Sequence, residues 1–450
     1  MDLFKRINVR YGEKIFPVNT KRRVHYNKLL KGMKILKEKG FSQLILKYKM
    51  YSKYKRNQQK NIKDIERQYI EDLFITASQK SREYVPLSST SISLTEHDPK
   101  LIAFYLPQYH PIVENDRWWG KGFTDWTNVT KAVTLYVGHY QPHLPDELGF
   151  YDLRLAEVQH RQVELAKQYG IYGFCIHYYW FNGKRLLEKP LEQFLHHKEL
   201  DIPFCLCWAN ENWTRRWDGL ENDILLEQIH SPKNDINFIR DLKTFFTDSR
   251  YIRIEGKPVL IVYRTTILPD PKATVERWRA YCRDQGIGDI YLIAAQTFGF
   301  ENPEQYGFDA AVEFPPHTMT GCEEITYGIS VLNKNYSGKI WDYEYFVKSK
   351  EYLKKVPYTL FKGIAPGWDN TARKPNNSSV YQGSSPSVYQ EWLLDLIHWS
   401  ADAHNEEKRI IFINAWNEWA EGAHLEPDRK YGYGYLQSTA DAILKSRVEK

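Results

Sequence analysis

Two glutamates three residues apart, Glu418 and Glu421, stand in the run Trp416-Asn417-Glu418-Trp419-Ala420-Glu421, directly after a strongly apolar stretch. Breaking or exchanging a glycosidic bond takes two carboxyl groups, one to protonate the departing oxygen and one to handle the attack at the sugar. If the run turns helically, residues three apart share a face with Cβ atoms roughly 5–6 Å apart. Carboxylates that close push one pKa up, so one keeps its proton as an acid while the other stays ionised.

Other runs mix aromatic and polar side chains in the same way. Tyr109 and His110 close one apolar stretch, and Trp119 and Trp126 follow in the same segment. His177, Tyr178 and Tyr179 end a second, Trp208, Asn210, Glu211 and Trp213 a third, and Asp369 follows a later one. A pyranose ring offers a C–H face to an aromatic ring and hydroxyls to polar partners, so these residues, with Trp416 and Asn417, are the expected substrate contacts. Glu211 is also a candidate third acid. Metal ligation is not expected: His139 and His143 are four apart, but Pro142 lies between them in a loop-like composition. No Asp-x-Asp motif and no phosphate-binding glycine pattern is present, so no cofactor is expected.

Chemistry of this kind has to be held by a rigid frame. Apolar runs recur at 101–106, 171–180, 203–208, 259–263, 290–295, 309–314, 361–365 and 410–415. They are continuous rather than alternating, as parallel strands buried on both faces are. Helix-patterned segments such as 153–169, 232–248 and 271–285 separate them. Eight such units predict a (β/α)8 barrel of TIM type, in which the polar strand ends form the site. A doubly wound open sheet is the alternative, without a Gly-x-Gly-x-x-Gly turn to support it.

The 450 residues are 42% hydrophobic and 26% charged, a globular composition, with an aromatic share of 15% that suits a ring-lined cleft. The net charge of +6 hides an asymmetry, since residues 1–70 hold 20 Lys and Arg against 5 Asp and Glu. Residues 1–97 therefore read as a basic helical N-terminal arm and linker, the Ser/Thr-rich linker lying at 86–95, and residues 98–450 as the catalytic domain. The arm, over residues 1–80, could contact an anionic membrane. Its charge alone does not make a nucleic-acid binder. The first residues lack a signal-type apolar core, and no apolar run of about 18 residues occurs, so a cytoplasmic protein, peripheral at the inner face of the membrane, is expected. Five cysteines without paired spacing read as reduced and structural.

The ordered runs 103–111, 118–126, 173–181, 208–213 and 416–422, among them Trp118-Trp119-Gly120-Lys121-Gly122-Phe123-Thr124-Asp125-Trp126, resemble the WbsX-type proteins of bacterial surface-polysaccharide gene clusters. Those are similar in turn to glycoside hydrolase family 99. The resemblance covers about residues 99–445 and implies a (β/α)8 barrel. In the hydrolase family it implies retaining endo-cleavage of α-mannosides. It would make Glu418 the base that pulls on the sugar's own 2-hydroxyl, giving an anhydro-sugar intermediate. Glu421 would protonate the leaving oxygen and then activate the acceptor. The runs ending in Tyr109 and in Tyr178 to Trp180 are nearer to the WbsX-type pattern than to the hydrolases. The expected function is a carbohydrate-active enzyme of O-antigen, capsule or lipopolysaccharide assembly, hydrolysing or transferring an oligosaccharide or lipid-linked glycan. The alternatives are a nucleotide-sugar-dependent glycosyltransferase and a non-catalytic glycan-binding protein.

Overall fold

The computed structural model describes residues 79–449 except 216–219, with five further positions, Arg67, Ile70, Glu71, Phe74 and Ala77. The basic arm expected over residues 1–80 lies almost wholly outside the described residues. The chain divides into Met1–Glu71 and Asp72–Lys450. The segment read as a linker belongs to the second unit. Val85 bridges Gly432, the Ser88 amide donates to the Tyr169 hydroxyl, and the Ile92 amide donates to the Gln168 carbonyl.

The apolar runs form eight strands: β1 Lys100–Tyr105, β2 Gly173–Phe181, β3 Phe204–Trp208, β4 Lys257–Val262, β5 Tyr291–Gln296, β6 Ala310–Glu313, β7 Leu360–Ile364 and β8 Ile410–Ile413. Each pairs in parallel with its neighbour in sequence, and β1 also pairs with β8, with Lys100 opposite Ile410, so the sheet closes. This is the (β/α)8 barrel that the run pattern predicts. Closure leaves no free edge, and strands covered inside and out bury nearly every residue of the runs. Gly363 serves the closure directly, because a Cβ there would stand 2.1 Å from the Glu313 carbonyl oxygen on β6.

The surrounding helices start where local chemistry says they should. Pro232–Asp241, Pro271–Asp284 and Pro386–Ala403 each have proline in the first turn behind a capping side chain. Ser231, Asp270 and Ser385 accept from the amides of Asn234, Ala273 and Val388. The segment expected to be one helix over 232–248 breaks at Leu242 into Pro232–Asp241 and Lys243–Phe246. A small four-stranded sheet outside the barrel carries Trp368–Asp369. The five cysteines are free. Among the described residues, no helix is long and apolar enough to cross a membrane.

Inside the barrel, Phe104 packs on Phe314 and Phe412 at ring distances of 4.7 and 5.6 Å, and His177 stacks on it at 5.6 Å. Apolar filling thus ends at an imidazole. Above it lie the polar ends of the strands.

Candidate functional site

Beyond β8 the chain makes one 3₁₀ turn, Trp419–Glu421, and leaves it through Gly422 at φ +59°. In such a turn residues three apart eclipse, which puts Glu418 and Glu421 on one side. A Cβ at Gly422 would stand 3.1 Å from that of Asp369, so glycine serves both the backbone angle and the packing.

One guanidinium holds the pair. Arg373 donates from Nη1 to Glu421 Oε1 at 2.5 Å, and from Nη2 to Glu418 Oε2 at 3.0 Å and Asp125 Oδ2 at 2.7 Å. The side chain of Asp125 is fully buried, that of Glu418 is 9% exposed and that of Glu421 is 20% exposed, so Glu421 is the more open acid. Burial pushes the Glu418 carboxyl up to about 7, with Glu421 and Asp125 adding to the rise and Arg373 and His177 opposing it. A carboxyl at about 7 is partly protonated near neutrality. His177 faces the pair from β2; burial lowers its pKa, but Cys207 and the two glutamates more than offset this and leave it raised. Tyr179 is the next aromatic out, feeling the charges of Glu418, Arg373 and Asp125, with Trp213 edge-on to it at 5.3 Å.

Of the residues expected to contact substrate, His177, Tyr179 and Trp213 gather here. Strand alternation sends their neighbours the other way. Tyr178 points outward and donates to Asp241, and Trp208 stacks on Phe238 at 4.0 Å beneath the helix Pro232–Asp241. Both correct the expectation. A second correction concerns residues whose polar atoms are committed to the scaffold. Asn417 accepts from the Leu106 amide and donates to its carbonyl, and the Tyr109 hydroxyl donates to the Asn417 carbonyl while accepting the Trp419 amide. Trp126 donates to the Tyr151 carbonyl, and Asn210 exchanges two hydrogen bonds with the Arg264 backbone. His110 is buried among the charges of Asp152, Glu188 and Arg154. Trp119 lies half-buried against Phe123 at 6.0 Å. Glu211 is half-buried on the rim, paired with Arg264 at 2.5 Å.

The tryptophans bracketing the glutamates are not platforms either. The Trp416 and Trp419 indoles donate to Oε1 and Oε2 of the buried Glu426, which also accepts from Gln162 and Tyr151. Glu426, Arg373 and Asp125 are the residues that sequence reasoning missed. Only Asp125 had a local signal, inside the Trp118 to Trp126 run.

Residues 101–439 match the family described as Glycosyltransferase WbsX. The chain belongs to that family. Its relatives include the protein WxcX of Xanthomonas campestris pv. campestris strain B100, 46% identical over 347 residues, which are 77% of this chain and 50% of WxcX. WxcX from a second strain is 46% identical over 358 residues, 79% and 51% of the two chains. This WbsX-family chain thus spans about half the length of the curated relatives it matches. Among solved structures, a glycoside hydrolase-like protein aligns at TM-score 0.49 and 15% identity, covering 80% of this chain and 98% of its own. A glycoside hydrolase family 99 endo-α-mannosidase from Bacteroides thetaiotaomicron aligns at 0.48 and 14%, covering 79% and 99%.

Asp369, expected to meet substrate, instead ties loops of the WbsX-family barrel together. Its Oδ2 accepts from His139 at 2.6 Å and Gln141 at 2.8 Å, and its Oδ1 from the Thr371 amide and hydroxyl. Burial raises its pKa, but His139 and these donors outweigh that and hold it down at about 2 from 3.8. The folded-state pKa is depressed, so the stabilisation is present above about pH 4 and fades as pH falls toward 2. Asp369→Asn is expected to cost about 2 kcal/mol at pH 7 and less at pH 3. Urea unfolding at both pH values checks this, and an equal loss at both would rule out the charge as its source.

Proposed function

We propose that the barrel is a carbohydrate-active enzyme of bacterial cell-surface polysaccharide assembly, working on glycosidic bonds through Glu418 and Glu421. The observation that carries this reading is the single Arg373 fork on two carboxylates of unequal exposure, one raised to about 7. Two acids of unequal exposure on a shared cation are what acid/base chemistry at an acetal needs. Glu421, the more open, is assigned to the glycosidic oxygen and then to the acceptor. Glu418 is the base on a sugar hydroxyl. The substrate is an oligosaccharide or lipid-linked glycan, and the site of action is the cytoplasmic face of the membrane.

In this role Glu418 works ionised, so kcat/KM is expected to rise with pH along an acid limb of apparent pKa about 7, a value that belongs to the coupled pair. A rate that instead falls through pH 7 would exchange the roles of the two glutamates. The family description favours a second reading, a nucleotide-sugar-dependent glycosyltransferase. Incubation with α-linked oligosaccharides alone, and then with nucleotide sugars, separates the two by product mass. Cleavage or exchange without nucleotide supports the carboxylate pair; turnover only with a nucleotide donor sinks it.

A further inference from the structure

Behind the Glu418–Glu421 turn lies a second cluster that plays no part in the proposed chemistry. His143, from the segment after β1, meets His424 and Asp428 from the segment after β8, and one ligating atom of each lies within 4.8 Å of the others. We propose that these three side chains bind a divalent cation of the zinc class, which clamps the two segments together beneath the carboxylate turn.

The ring of His424 is already oriented for this. Its Nδ1 donates to the Glu426 carbonyl at 3.0 Å, which fixes the tautomer and leaves the Nε2 lone pair facing the cluster. That Nε2 is 3.0 Å from His143 Nδ1 and 3.8 Å from Asp428 Oδ2. Two ligands of a tetrahedral zinc ion, each bonded at about 2.0–2.1 Å, stand about 3.3 Å apart, and the observed spacings bracket this. A simple imidazole–imidazole hydrogen bond would account for the shorter contact only. It leaves Asp428 Oδ2 buried without a hydrogen bond, although Oδ1 of the same carboxylate accepts from the Tyr431 amide. The Tyr140 hydroxyl is a neighbour of this carboxylate, and its ring lies 4.2 Å from that of His143. A buried carboxylate oxygen beside two imidazoles is a nitrogen- and oxygen-donor set suited to zinc. Lys430, whose charge is felt by Asp428, lies over the Tyr140 and Tyr431 rings with Glu83 3.7 Å away. His143 is half-buried, and the other two ligands are buried.

The clamp bears on the turn directly. His424 stacks on Trp419 at 3.8 Å, and His143 Cε1 lies 3.4 Å from where a Cβ on Gly422 would stand. His424 and Asp428 are four residues apart, but His143 lies 281 residues before His424, so the sequence does not announce the set.

The test uses the full chain, loaded with zinc and desalted. A surface group, His160, His197 and Glu199, could also take zinc and is removed first by His160→Ala and His197→Ala. That protein is expected to retain about one zinc per chain by elemental analysis and to melt at a higher temperature with zinc than after chelation. His143→Gln is expected to lose both effects, and Asp428→Asn serves if His143→Gln fails to fold. Folded protein that retains no zinc and shows no melting shift overturns the proposal, as does retention unchanged in a folded ligand variant. Glu421→Gln is expected to keep zinc like the parent, so failure of the catalytic reading and failure of this site are told apart.

Discussion

Turnover by the Glu421→Gln protein is expected to fall by roughly 10²–10⁴-fold, the usual worth of a group that moves a proton in the transition state. Gln keeps the shape of the side chain and an oxygen for Arg373 Nη1, which donates to Glu421 Oε1 at 2.5 Å. The ties from Arg373 to Asp125 and Glu418 do not pass through Glu421, so the scaffold remains. The loss therefore falls on chemistry rather than on folding. Single-turnover rates, with circular dichroism and melting temperature as controls for the fold, are the check. An unchanged rate in a folded variant removes Glu421 from the mechanism.

The barrel was legible because its signal is local. Parallel strands covered on both faces must be apolar along their whole length, and 204–208 and 410–413 read FCLCW and IIFI without interruption. Helix starts at 232 and 271 were legible for a similar reason, Ser231-Pro232 and Asp270-Pro271 being cap and first turn in adjacent residues. The direction of a strand-end side chain was less so. His177, Tyr178 and Tyr179 read as one polar aromatic group, yet the pleat sends Tyr178 to Asp241 and its two neighbours into the barrel.

The site was legible only at its centre. Trp416 read as a substrate contact because it flanks acids and amides, but what its indole N–H, like that of Trp419, meets depends on a tertiary partner, here Glu426. Buried carboxylates also demand a cation, and that much could be argued from Glu418 and Glu421 alone. Which of the 62 Lys and Arg answers the demand could not, since Arg373 is 45 residues from Glu418 and reaches it from the loop after β7.

Arg373→Met is expected to destabilise the barrel by about 3–5 kcal/mol at pH 8, the cost of leaving buried charges without their partner. Asp125, fully buried, would keep only Asn128 of its two side-chain partners. The loss depends on pH in a definite sense. Without the guanidinium the Glu418 carboxyl rises further above about 7, while its unfolded value stays at 4.5, so protonation favours the folded state as pH falls. The gap between variant and parent should therefore narrow from pH 8 to pH 5 in urea unfolding. Arg373→Lys keeps the charge but not the planar fork that reaches three carboxylates, and is expected to fall between the two. Equal stability of Arg373→Met and the parent at pH 8 would mean that the guanidinium does not hold the cluster. The acid limb of kcat/KM separates scaffold from chemistry: Arg373 is the principal influence lowering Glu418, so its loss must move the limb upward, whereas a purely structural arginine would leave it at about 7.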